Sequence, residues 1–178
     1  MDQLQNAIVE DFGSGYVKFG HSELLGRVVG LLLCTDTPLT EEQISQELHV
    51  SKSPINQITR RLEQLNLVRR VRLQGDRKFY YQVSSDLFLQ AGINLSRLYE
   101  DNLRIAETHL QVVLEKYRTA EAEERAKLGI IAERLIKMRE FHLRQVQSYE
   151  RFIGEWRTAK MNLPTVEEYA ERLQVSAA

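Results

Sequence analysis

The sequence is short of several things, and each shortage excludes a class of protein. A single cysteine, Cys34, rules out an intrachain disulfide framework and a multi-cysteine zinc site. His21, His49, His109 and His142 are scattered, without the i, i+3 or i+4 partners a helical metal site needs, so no metal and no cofactor is expected. No run approaches eighteen apolar residues, and the longest apolar patch, LLGRVVGLLLC, carries an arginine and two glycines, so no membrane span and no membrane partner is expected. The start of the chain, MDQLQNAIVED, is acidic where a signal peptide would be basic, which gives a cytoplasmic expectation. There is no glycine-rich phosphate loop, no nucleophile elbow and no cysteine–histidine arrangement, so an enzyme is not expected.

What the chain does have is apolar content of 43% over 178 residues, enough for one domain or two small ones with a real core. Its net charge of −1 hides an uneven distribution. Residues 51–83 hold eight Lys and Arg (Lys52, Arg60, Arg61, Arg69, Arg70, Arg72, Arg77, Lys78) against Glu63 and Asp76, a local charge of +6, which leaves −7 for the remainder. A basic segment in an acidic chain suits a nucleic-acid contact, because neutralising phosphates releases counterions.

Residues 22–35 place Leu24, Leu25, Val28, Val29, Leu31 and Leu32 around Arg27, the pattern of a central core helix. LTEEQISQEL then offers Thr40 and Gln43 as a capping box for a short helix carrying Ile44 and Leu48 on one face. After the tight connection at His49 and Val50, Ser51 or Ser53 can cap the next helix, with Pro54 in its first turn. Ile55, Ile58, Leu62 and Leu65 share a narrow sector of that helix, and Ser53, Asn56, Gln57, Arg60 and Gln64 cluster opposite them. Two short helices with a brief turn between them read as a helix-turn-helix. LVRRVRL and KFYYQV follow with strand-like composition, separated by QGDR, whose Gly75-Asp76 pair signals a hairpin, so the helix-turn-helix carries a wing. The adjacent Arg69 and Arg70 on the first strand must point to opposite sides.

From 86 onward the pattern is helical. Tyr99, Leu103, Ala106, Leu110, Val113 and Tyr117 form one stripe, with Leu98, Ile105 and Val112 beside it. Leu128, Ile131, Leu135, Met138, His142, Gln145, Tyr149, Phe152 and Trp156 form another, and such stripes need a covering helix. A break is expected in RTAEAEERA, and a last helix with a Thr165–Glu168 capping box. The expected organisation is an N-terminal helix with a glycine-rich break (1–21), a winged helix-turn-helix domain (22–85) and a helical dimerisation region (86–178). The fold class is mainly α with a small β-hairpin wing.

The stretch 26–83, GRVVGLLLCTDTPLTEEQISQELHVSKSPINQITRRLEQLNLVRRVRLQGDRKFYYQV, resembles the MarR-type repressor family, the multiple-antibiotic-resistance regulators. The likeness is greatest to the branch containing the glycine-betaine-synthesis repressor. Gly26, Arg27, Gly30, Pro38, Leu39, Val50, Ser51, Lys52, Arg61, Leu62, Glu63, Gly75, Asp76 and Arg77 match that branch in place, whereas Pro54 departs from it. The resemblance implies a homodimeric repressor on a pseudo-palindromic site in double-stranded DNA, with Arg77 entering the minor groove while Asp76 holds the arginine or the turn. In a winged helix-turn-helix the recognition helix enters the major groove N-terminal half first. Ser53, Asn56 and Gln57 are then the candidate base readers. Lys52, Arg60 and Arg61 are the candidate phosphate contacts, Arg77 and Lys78 stand at the wing tip, and Gly75 and Asp76 support it. Dimerisation is expected through Leu103, Leu110, Val113, Leu135, Met138, Tyr149, Phe152 and Trp156. A small-molecule effector is left open and unnamed, and so is the alternative of a winged-helix module that contacts protein and not DNA.

Overall fold

The structure, a computed structural model, describes residues 1–176 of the chain. It divides into two units, Met1–Ala91 and Gly92–Ala178. Among the described residues no helix is long and apolar enough to cross a membrane.

The first unit is built around α2 (Glu23–Leu33), whose Val28, Val29, Leu31 and Leu32 are almost fully buried. Helix α1 (Gln3–Lys18) packs along it. Two glycines decide how close they come. A Cβ on Gly26 would lie 2.4 Å from the Phe12 carbonyl oxygen, and one on Gly30 would lie 3.1 Å from Val9 Cα. The GRVVG motif is therefore a helix-crossing device: small residues at 26 and 30 let two backbones touch while Val28 and Val29 fill the core.

Helix α3 (Glu41–Leu48) starts with both halves of the expected capping box, Thr40 Oγ1 accepting from Gln43 N–H and Gln43 Oε1 accepting from Thr40 N–H. It ends at His49, whose left-handed backbone (φ 53°) turns the chain, and Val50 N–H donates to the Ser45 carbonyl. Helix α4 (Lys52–Gln64) buries Ile55, Thr59 and Leu62 against this core. Ser51 is its N-cap by backbone conformation, but neither it nor Ser53 caps the helix through a side-chain hydroxyl, a correction to the expected serine cap. Pro54 falls in the first turn, where an N–H has no intrahelical partner to lose.

Strands β1 (Val68–Val71) and β2 (Tyr80–Val83) pair antiparallel, with Val68 opposite Val83 and Val71 opposite Tyr80. Leu39 adds an isolated bridge to Tyr81 through two backbone hydrogen bonds of 2.9 and 2.7 Å. The paired strands are shorter than the apolar runs, because the intervening loop makes its own structure. Asp76 N–H donates to the Leu73 carbonyl across a turn with Gly75 at φ 85°, a conformation glycine adopts without strain.

In the second unit α5 (Leu87–Thr119) and α6 (Ala122–Ala159) form an antiparallel pair, and the chain breaks between them within the predicted acidic segment. Tyr99 packs on Tyr149 and His142, Asn102 meets His142 at 3.2 Å, Glu107 pairs with Arg139 at 3.2 Å, and Arg125 lies over the Tyr117 ring. A short 3-10 turn, Lys160–Asn162, precedes α7 (Val166–Ser176), which begins with the expected Thr165–Glu168 box.

The glycine crossing makes a direct prediction. Gly26→Ala should destabilise the protein by at least about 1–3 kcal/mol in urea unfolding, because its methyl meets backbone that cannot rotate away.

Candidate nucleic-acid interface

The polar side of α4 follows from its buried side. At 100° per residue, Ile55, Ile58, Leu62 and Leu65 occupy one sector, and Ser53, Gln57, Arg60, Arg61 and Gln64 occupy the other. Ser53, Gln57, Arg60 and Arg61 are exposed, as is Lys52 at the start of the helix. The first N–H groups of α4 have no side-chain cap and sit beside Lys52, an arrangement suited to an anion such as a phosphate. Lys52, Arg60, Arg70 and Lys78 line an open groove of about 370 Å³ shared with Glu41, Asn56 and Tyr81. The structure thus places four basic side chains from α4, β1 and the wing loop on one concavity.

The wing organises its own cations. Asp76 accepts from Lys78 N–H at 2.8 Å and from the Tyr80 hydroxyl at 2.7 Å. Those two bonds, in that order of effect, hold its carboxyl below the ordinary aspartate range and raise the Tyr80 phenol. Arg70 and Arg72, two residues apart on one side of the strand, both lie over the Phe79 ring, 4.4 and 4.6 Å from its centroid. Arg70 also pairs with Glu63 at 3.2 Å. Arg69 and Arg77 are exposed, Arg77 at the tip. Asp76 is joined to the turn rather than to Arg77 through its printed hydrogen bonds.

Asn56 differs from the other candidate readers. It stands at the border between the two sectors of α4, half-buried, and its Nδ2 donates to Glu41 Oε1 and Oε2 at 3.0 and 3.1 Å. Glu41 Oε1 also accepts from the Thr59 hydroxyl at 3.1 Å and the Tyr81 hydroxyl at 2.9 Å. Burial pushes the Glu41 carboxyl up, but the bonds from Asn56, Tyr81 and Thr59, with the charge of Lys52, outweigh it and leave it below its ordinary value. Glu41, Phe79 and Tyr81 were missed in the sequence. Glu41 read as a helix-dipole residue beside a capping box, and its partners are 15, 18 and 40 positions away, beyond the reach of periodicity.

Of the residues expected at a dimer contact, Leu103, Leu110, Val113, Leu135, Met138, Tyr149 and Trp156 are half-buried within the second unit, and Phe152 is exposed. The neighbouring stripe of Leu98, Ile105 and Val112 is exposed. Among the described residues no cluster of His, Cys, Asp and Glu could hold a metal ion. Cys34 is half-buried; burial, with the charge of Asp2, pushes its thiol up, the opposite of an activated thiolate.

A helix-turn-helix whose second helix is followed by a hairpin tipped with basic residues leaves one description of the first unit. It is a winged helix-turn-helix. No family model matches the chain. It is similar to YvaV of Bacillus subtilis (strain 168), named as a candidate HTH-type transcriptional regulator, at 27% identity over 133 residues, covering 70% of this chain and 75% of that protein. It is also similar to OpcR of the same organism, an HTH-type transcriptional repressor, at 25% identity over 49% of this chain and 48% of that protein. A solved structure of a transcriptional regulator superposes with a TM-score of 0.71 at 21% identity, over 86% of this chain and 98% of the other, which shows that the fold is shared.

The Glu41 carboxyl is lowered in the folded state, so its contribution to stability is complete above the ordinary glutamate pKa and is lost as pH falls through the lower folded value. Below about pH 4, urea-unfolding stability should therefore fall less steeply for Glu41→Gln than for the wild type.

Proposed function

We propose that the protein is a sequence-specific, double-stranded DNA-binding transcriptional regulator of MarR type, from the branch containing the glycine-betaine-synthesis repressor, and that it acts as a homodimeric repressor on a pseudo-palindromic operator. The observation that carries this reading is the coincidence of the +6 segment with the exposed side of α4, its uncapped N-terminus and the wing. Ser53 and Gln57 read bases, Lys52, Arg60 and Arg61 hold phosphates, and Arg77 and Lys78 carry the wing tip to the backbone or minor groove, where a positive group meets a strong negative potential. Asn56 belongs to the same surface with its amide nitrogen already engaged. The two relatives named as an HTH-type regulator and repressor support the same reading.

The second unit supplies the surface for a dimer. The half-buried residues from Leu103 to Trp156 hold α5 and α6 together as one element. Leu98, Ile105 and Val112, spaced by seven and about 100° around α5 from that seam, are left apolar and exposed. A two-fold pairing through this face presents two recognition helices to two half-sites. A winged-helix module that contacts protein would not need cations gathered on the reading surface, and a double Gln57→Glu and Arg60→Glu variant separates the two: it abolishes DNA binding and leaves a protein contact elsewhere intact.

Genomic fragments selected on the protein should yield a duplex whose binding weakens steeply with salt, and Arg77→Ala should lower affinity several-fold, about 0.5–1.5 kcal/mol, in fluorescence anisotropy. Salt-independent binding, or none, contradicts the reading. Ile105→Glu should shift the protein to a monomer in analytical ultracentrifugation and weaken operator binding, with the fold of the first unit unchanged by circular dichroism.

A further inference from the structure

One anionic side chain lies inside the basic groove, and the reading above gives it no part. Glu41 collects Asn56 from the outward-facing helix, Thr59 from the core side of the same helix, and Tyr81 from the wing. A carboxylate only accepts hydrogen bonds, so the Asn56 amide must turn Nδ2 toward it and leave carbonyl Oδ1 on the far side. The attachment of the wing does not require this carboxylate, since the paired backbones of Leu39 and Tyr81 already join β2 to the start of α3.

We propose that Glu41 is a positioning residue that sets base preference: by holding the Asn56 nitrogen it makes Asn56 an acceptor only. The inference rests on the DNA-binding reading. A free asparagine pairs bidentately with adenine, Oδ1 accepting from N6 and Nδ2 donating to N7. An asparagine clamped at Nδ2 cannot supply the second bond. It is matched by a base edge that presents a donor alone, and in the major groove that edge is cytosine N4. Glu41 therefore moves the preferred base facing Asn56 from adenine toward cytosine, without touching the DNA itself. Lys52, whose charge acts on the same carboxylate, offsets its repulsion of nearby phosphates.

The test is selection from randomised duplexes with the wild type, Glu41→Ala, Glu41→Gln, and Glu41→Ala in an Asn56→Ala background, with the ratio of specific to non-specific affinity and the salt slope measured for each. The wild type is expected to select cytosine at one position per half-site. Glu41→Ala shifts that position to adenine and lowers the specificity ratio on the wild-type site about tenfold. The salt slope stays as it was, because the phosphate contacts are untouched. With Asn56→Ala present, Glu41→Ala makes no further change. Should Glu41→Ala melt below the assay temperature, Glu41→Gln, which keeps shape and one acceptor but lets the Asn56 amide turn over, blurs the preference at the same position. An unchanged base preference and ratio in a folded variant overturns the inference. So does an equal fall of specific and non-specific affinity together with thermal stability, which marks a purely structural role. Absence of duplex binding by the wild type overturns the DNA-binding reading and this inference with it, and is distinguishable from both.

Discussion

The Glu41 carboxylate accepts hydrogen bonds from Asn56, Thr59 and Tyr81, and so ties the first turn of α3, the middle of α4 and the second strand of the wing to one point. Those elements come from positions up to 40 residues apart, and each has an apolar anchor of its own: Ile44 in α3, Ile55 and Leu62 in α4, Tyr81 in β2. The apolar contacts supply affinity between the layers but little direction. The hydrogen bonds fix which way the polar side of α4 faces relative to the hairpin. A basic surface becomes a reading surface only when that angle is held.

The same division explains what could be read in the chain without its structure. The helix-turn-helix was legible because α4 alternates apolar and polar groups with a helical period and α3 opens with a capping box, both local signals. The wing was legible from Gly75-Asp76 and the β-branched and aromatic runs, but the ends of its strands were not. Asp76 bonds to Lys78 and Tyr80, and Phe79 lies beneath Arg70 and Arg72, so side-chain chemistry in the loop replaces ladder pairs that composition would have allowed. Gly26 and Gly30 were visible as a motif whose reason, the passage of α1 across α2, lay elsewhere in the chain. Asn56 looked like its neighbours Ser53 and Gln57 because nothing local marks a residue at the edge of a polar sector as already bonded.

The helical half shows the limit of periodicity from another side. A stripe of apolar residues says that a helix must be covered, and not by what. The stripe through Tyr99, Leu103, Leu110 and Val113 is half-buried within the unit formed with α6, whereas Leu98, Ile105 and Val112 stay exposed. Charge follows a similar logic in the first unit: counted over the whole chain it is nearly neutral, and counted over the elements that share a surface it is strongly positive. Association with an anionic polymer depends on the second count, since screening confines each charge to its neighbourhood of about 8–10 Å.

The central claim is that the outward side of α4 and the wing tip together form the surface that meets duplex DNA. Amide chemical-shift mapping of the isotope-labelled protein, titrated with a duplex recovered from genomic fragments, addresses it most directly. The account predicts shifts concentrated at Lys52, Ser53, Gln57, Arg60, Arg77 and Lys78, with the α1 amides of Val9 and Phe12 unmoved. Shifts confined to α1, or a spectrum unchanged at saturating duplex, would contradict it.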